Sequence, residues 1–270
     1  MRQNPRARDG TTRDPLPHDG LAVIEVEHVS HHFGDVDVLD HLDLDVAEGG
    51  FVGLVGPSGC GKSTLLRILA GLLTPSAGDA RIGGRSIVGR PGHAAYMPQR
   101  DLLLPWRRAL GNATVCAEIA GMSRHEAEQQ AEALFGPFGL AGFERAWPAE
   151  LSGGMRQRLA LLRTFLCGRD VLLLDEPFGA LDAITRRDMH GWLQHVLQSD
   201  RRTVLLVTHD VEEALVLADV VVVLSSRPAR IVERMPVELS RPRTLDVVTS
   251  DTFVAAKSKL LSALEAGRAA

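Results

Sequence analysis

In Gly56-Pro57-Ser58-Gly59-Cys60-Gly61-Lys62-Ser63-Thr64 the first eight residues fit the pattern GxxxxGK[ST]. Glycines at this spacing let a backbone wrap a phosphate without Cβ collisions. Successive N–H groups and a helix N-terminus then face the anion. In such a loop Lys62 reaches the β- and γ-phosphates, the Ser63 hydroxyl ligates Mg²⁺ and Thr64 supports the α-phosphate. A second signal is Val171-Leu172-Leu173-Leu174-Asp175-Glu176-Pro177, an apolar run ending in paired carboxylates. Asp175 suits a metal held through water, and Glu176 suits a base that polarises water for attack on a phosphate. The two signals together describe a nucleotide site with hydrolytic capacity.

Such a loop works only between a strand and a helix. Phe51–Val55, an apolar run closed by Gly56, reads as the strand, and Ser63–Gly71 carries helical spacing. Leu21–Val29 and Val38–Val46 alternate apolar and polar residues as half-buried strands do. Val171–Leu174, Val204–Val207 and Val220–Leu224 read as buried strands separated by helical stretches, which predicts an α/β layer with a largely parallel sheet. From Gln99 to Leu151 the texture turns helical, and Ser123-Arg124-His125-Glu126 is a capping box for a helix to about Phe135. A terminal helix is expected near Thr252–Glu265.

Composition excludes several classes. The 270 residues carry 30 Lys+Arg against 34 Asp+Glu, a net charge of −4, with 4% aromatics. That balance offers neither a basic coat nor a stacking platform for nucleic acid. The three cysteines, Cys60, Cys116 and Cys167, form no CxxC pair, which suits a reducing compartment and gives no metal site. The apolar stretch Ala214–Leu224 is interrupted by Asp219 and is too short to span a bilayer. Residues 1–20, with four Arg, three Asp and three Pro, read as a disordered tail and not a secretory signal.

Leu151-Ser152-Gly153-Gly154-Met155-Arg156-Gln157 resembles LSGGQ, the signature motif of the ATP-binding cassette family, with Met at the fifth position. The resemblance implies a P-loop NTPase cassette over 21–240: a RecA-like core, an antiparallel β subdomain and an inserted α-helical subdomain at about 100–155. Residues 241–270 are then a C-terminal tail with a short helix. It further implies that Ser152, Gly153 and Gly154 close on ATP held by a second subunit, in a head-to-tail dimer; the single intact motif set favours a homodimer, with a paired, different cassette as the alternative. Gln99 is similar to the Q-loop glutamine, which contacts the metal or the attacking water. Ala180-Leu181-Asp182 resembles the D-loop, and His209, in Thr208-His209-Asp210, resembles the switch histidine near the γ-phosphate. Phe33 stands where the family places an aromatic against adenine. The implied cofactors are ATP and Mg²⁺, with Ser63, Gln99 and Asp175 at the metal and Glu176, His209 and Gln99 as the catalytic set.

Finer resemblance points to importers of nitrate, sulfonate, taurine and thiamine-precursor pyrimidines. It rests on Leu102-Leu103-Leu104-Pro105-Trp106, Pro177–Asp182 with Thr185-Arg186, and Ser226–Ile231. The implied partners are a transmembrane permease, whose coupling helix would meet Arg100–Asn112, and an extracytoplasmic substrate-binding protein; nucleic acid is not among them. The implied location is the cytoplasmic face of the cell membrane, peripherally held. Trp106 and its neighbouring leucines read equally well as core of the helical subdomain. A soluble ATP-dependent switch or an exporter subunit remains the alternative function, and no residue here reads the transported molecule.

Overall fold

The computed structural model describes residues 22–199 and 201–269, so the tail expected at 1–20 lies outside the described residues. Two sheets build the molecule. Strands β1 (Ala22–Phe33) and β2 (Val36–Ala47) form a long antiparallel hairpin. β4 (Ala77–Ile82) and β5 (Arg85–Ser86) extend it in the order β2-β1-β4-β5. β1 and β2 are longer than their alternating patterns predict, because Gly34, at φ 55°, turns the chain only after Phe33.

The second sheet has the order β10-β9-β3-β8-β7-β6. Its strands are β3 (Phe51–Val55), β6 (Ala95–Met97), β7 (Val171–Asp175), β8 (Thr203–Val207), β9 (Val220–Leu224) and β10 (Ile231–Pro236). All neighbours are parallel except β9 and β10. Every residue of β3, β7, β8 and β9 is buried, as expected for parallel strands covered on both faces. Asp219, which interrupts the apolar run, accepts from Phe51 N at 3.0 Å and pairs with Arg241 at 2.7 Å, so it ties the start of β9 to the chain beside it.

Helix α1 (Lys62–Leu69) follows β3 and buries Leu65, Leu66, Ile68 and Leu69. Between β6 and β7 the chain forms α2 (Ala109–Ile119), α3 (Arg124–Phe135) and α4 (Gly153–Phe165), with no strand among these described residues. Ser123 caps α3 by accepting from Glu126 N. α5 (Ala183–Ser199), α6 (Val211–Leu217) and α7 (Leu245–Val248) precede a terminal helix, α8 (Asp251–Ala269). At 19 residues α8 is not the short helix of a tail. Phe253 and Leu260 are buried in the main core, and that burial is what fixes the helix.

Candidate active site

The site gathers at the carboxyl ends of β3, β8, β7 and β6, where open α/β sheets place their ligands. Between β3 and α1 the loop 56–61 turns tightly. A Cβ on Gly56 would stand 3.1 Å from both Cys60 Sγ and Leu224 O, and Gly61 adopts φ 125° with Leu39 packed against it. Lys62 Nζ donates to Gly56 O at 2.8 Å and Pro57 O at 2.9 Å, which holds the ammonium under the loop. Cys60 is buried, and that burial raises its thiol above the ordinary range against the pull of Lys62.

A cleft of about 800 Å³ opens over this loop. It is lined by Gly56, Pro57, Ser58, Gly59, Gly61, Lys62, Ser63 and Thr64 from the loop, with Phe33, Gln99, Glu176 and His209 around them. Phe33 is 50% exposed, and the buried His31 ring meets it edge-on at 4.5 Å. The neighbouring histidines do not line the cleft; Phe33 does.

Glu176 is the most constrained residue here. Its φ of 51° is unusual for a side chain of this size, a conformation that costs roughly 1–3 kcal/mol unless neighbours enforce it. They do: Glu176 N donates to Val207 O at 2.8 Å, and Glu176 O accepts from Gln157 Nε2 at 3.1 Å. Its carboxylate accepts from Gln99 Nε2 at 2.9 Å on one oxygen and lies 3.3 Å from His209 Nδ1 on the other. Gln157, buried on α4, therefore links the helix that opens with the Ser-Gly-Gly turn to the backbone of Glu176. The sequence singles Gln157 out only as part of the motif.

Asp175 ends β7 only 2% exposed. Burial raises its carboxyl above the usual range, and the charge of Glu176 adds to this against a hydrogen bond from Ser63. A hydroxyl and a buried carboxylate beside a phosphate-binding loop are the oxygen donors that Mg²⁺ takes, with the phosphates completing its shell. Among the described residues there is no cluster of three His, Cys, Asp or Glu that could hold a metal without a substrate.

Ser152, Gly153 and Gly154 are not among the residues lining the cleft. Ser152 caps α4 by accepting from Met155 N at 3.2 Å. Asp182 caps α5 in the same manner through Ile184 N and Thr185 N. Trp106 is 71% exposed and Leu102 59%, which places them on the surface and not in the core, while Leu103 packs against the main core.

A phosphate loop, a carboxylate gripped beside it and a signature turn held apart define an ATP-binding cassette, and the comparisons agree. The ABC transporter family model matches residues 39–179. The aliphatic sulfonates import ATP-binding protein SsuB 1 of Rhodococcus jostii is 47% identical over 228 residues, 84% of this chain and 89% of the relative. A protein of the same description from Frankia casuarinae is 43% identical over 246 residues, 91% of this chain and 75% of the relative. A dimeric bacterial ABC transporter cassette superposes with a TM-score of 0.73 at 27% identity, covering 80% of this chain and 99% of that structure. The chain belongs to the ABC transporter family. It is an ATP-binding and ATP-hydrolysing subunit, and no helix among the described residues is long and apolar enough to cross a membrane.

Proposed function

We propose that this chain energises a bacterial importer of aliphatic sulfonates, with Glu176 as the general base of ATP hydrolysis. The observation carrying the catalytic reading is the carboxylate of Glu176, held between Gln99 and His209 at the mouth of the phosphate loop. The sulfonate cargo rests on the relatives named for that transport, which match this chain over most of its length.

In this reading the amides of Gly59, Cys60, Gly61 and Lys62 cradle the phosphates, and the Lys62 ammonium leaves its loop carbonyls for the β- and γ-phosphate oxygens. Phe33 stacks on adenine. Glu176 accepts the proton of the attacking water while Gln99 and His209 fix its orientation. Ser63 and Asp175 hold Mg²⁺, with Gln99 beside it, and the ion when bound neutralises phosphate charge. Ser152, Gly153 and Gly154 serve the site of a second copy of the chain, in keeping with their absence from the lining of this one. The pair associates peripherally with permease subunits at the cytoplasmic face of the membrane, supplied by a substrate-binding protein.

The test is to tag the Glu176→Gln form, solubilise membranes gently with ATP present and identify what co-purifies. A permease whose companion binding protein takes alkanesulfonates supports the reading. A binding protein selective for nitrate or a pyrimidine overturns the cargo, and recovery only from the soluble fraction overturns the importer.

A further inference from the structure

One flank of the cleft is built by residues outside every nucleotide-binding motif. Arg227, Leu264 and Arg268 line it together with Phe33, Val38 and Gly59. Arg227 Nη2 stands 3.5 Å from the position a Cβ on Gly59 would take, so its guanidinium lies alongside the loop. Arg268 arrives on the last turn of α8. That turn docks through Gly267, where a Cβ would stand 3.4 Å from both Leu224 O and Ser225 Cα. Ser226 N donates to Gly267 O at 2.8 Å, and Ser226 Oγ donates to Arg268 O at 3.4 Å. Farther along the helix, Lys257 pairs with Glu212, and Lys259 pairs with Glu233 at 3.2 Å.

The neighbouring arginine, Arg230, is committed to Asp40. Among the described residues Arg227 and Arg268 form no ion pair, yet both face one cleft beside a phosphate-binding loop. A guanidinium fork matches phosphate oxygens better than any other side chain. β9 adjoins β3 on the side away from β8 and β7, so the two arginines flank the loop opposite His209 and Glu176.

We propose that Arg227 and Arg268 bind the phosphates of the nucleotide in this cleft, and that α8 exists in part to deliver the second of them. The proposal rests on the cleft being the ATP site. ATP and ADP both gain from the two guanidiniums, adenosine gains nothing, and the gain shrinks with ionic strength because both side chains meet solvent.

The experiment measures ATP and ADP affinity of the full chain by titration, and adenosine affinity by competition, for the wild type, Lys62→Ala, Arg227→Gln, Arg268→Gln and the double glutamine variant. Each single glutamine is expected to weaken ATP and ADP about 3- to 10-fold, leave adenosine unchanged and flatten the salt dependence. Wild-type ATP affinity in Lys62→Ala overturns the underlying site reading. Weakened binding in Lys62→Ala with wild-type binding in both glutamine variants overturns this proposal alone. An equal loss for adenosine also overturns it, because that pattern reports a disturbed cleft and not a phosphate contact.

Discussion

Gln99 Nε2 donates a 2.9 Å hydrogen bond to Glu176 Oε2, joining the exit of the sheet's edge strand to the exit of its neighbour. Gln99, two residues beyond β6, thereby touches the carboxylate proposed as the general base. With Glu176→Gln, that contact and the backbone anchors on Val207 and Gln157 can persist while the base is lost. Nucleotide affinity is expected within about twofold of wild type, and turnover is expected to fall roughly 10²- to 10⁴-fold. Steady-state phosphate release measures it; release at the wild-type rate removes Glu176 from its role.

Asp175 makes an opposite pair of effects. Its carboxyl is raised by burial first and by Glu176 second. An acid raised in the fold contributes stability that is full below the unfolded pKa and is lost as pH rises through the folded one. The nucleotide-free chain loses that contribution as pH rises. Asp175→Asn is therefore expected to raise its Tm, on the order of a few degrees. The same variant is expected to lose the further rise that Mg²⁺ adds to ATP. Thermal scans across a pH series check both, and the gain must grow as pH rises.

The three cysteines separate by environment. The hydrogen bond between Cys116 and Cys167 holds the Cys116 thiol at about 7, against burial and with help from Arg163, while Cys167 is raised. Cys60 is raised by burial beneath the phosphate loop. Alkylation is expected first at Cys116, with a rate that climbs through pH about 7, and last at Cys60. Peptide mapping by mass after timed alkylation reads the order, and faster labelling of Cys60 than Cys116 contradicts it.

Trp106 stands on the surface of the helical insertion. Trp106→Ala is expected to change the stability of the isolated chain by no more than about 0.5 kcal/mol. Its ATPase activity should also hold, while uptake by the assembled transporter falls. Uptake and ATPase measured side by side in vesicles decide the matter; parallel losses would return Trp106 to a structural role.

Much of this site was legible because its chemistry fixes residue type. Only glycines allow the turn at Gly61, and only an apolar strand delivers Asp175 and Glu176 together. The buried strands β3, β7, β8 and β9 announced themselves as valine- and leucine-rich runs. β5 and β6 did not, because they are two and three residues long at sheet edges, and β4 did not because only Ala80 and Ile82 of its six residues are buried, which leaves no apolar run. The cleft position of Arg227 and the Cys116–Cys167 contact depend on tertiary packing and carry no local signature, and the motif that contains Gln157 gives no hint of its bond to Glu176 O. α8 was underestimated because its buried positions, Phe253 and Leu260, lie among alanine, serine and lysine, so the sequence shows a weak stripe where the structure has an anchor.

β6 spans three residues and is paired only with β7. The Glu176 carboxylate is thus held by a residue just beyond the sheet's least tethered member, at the entrance to the helical insertion. A tug on that insertion needs to loosen only a few ladder bonds to draw Gln99 off Glu176, whereas β3, β7 and β8 are each gripped on both sides. If Glu176 is the base proposed above, a small tilt of the insertion would slow hydrolysis and leave the phosphate loop, anchored by the doubly paired β3, in place.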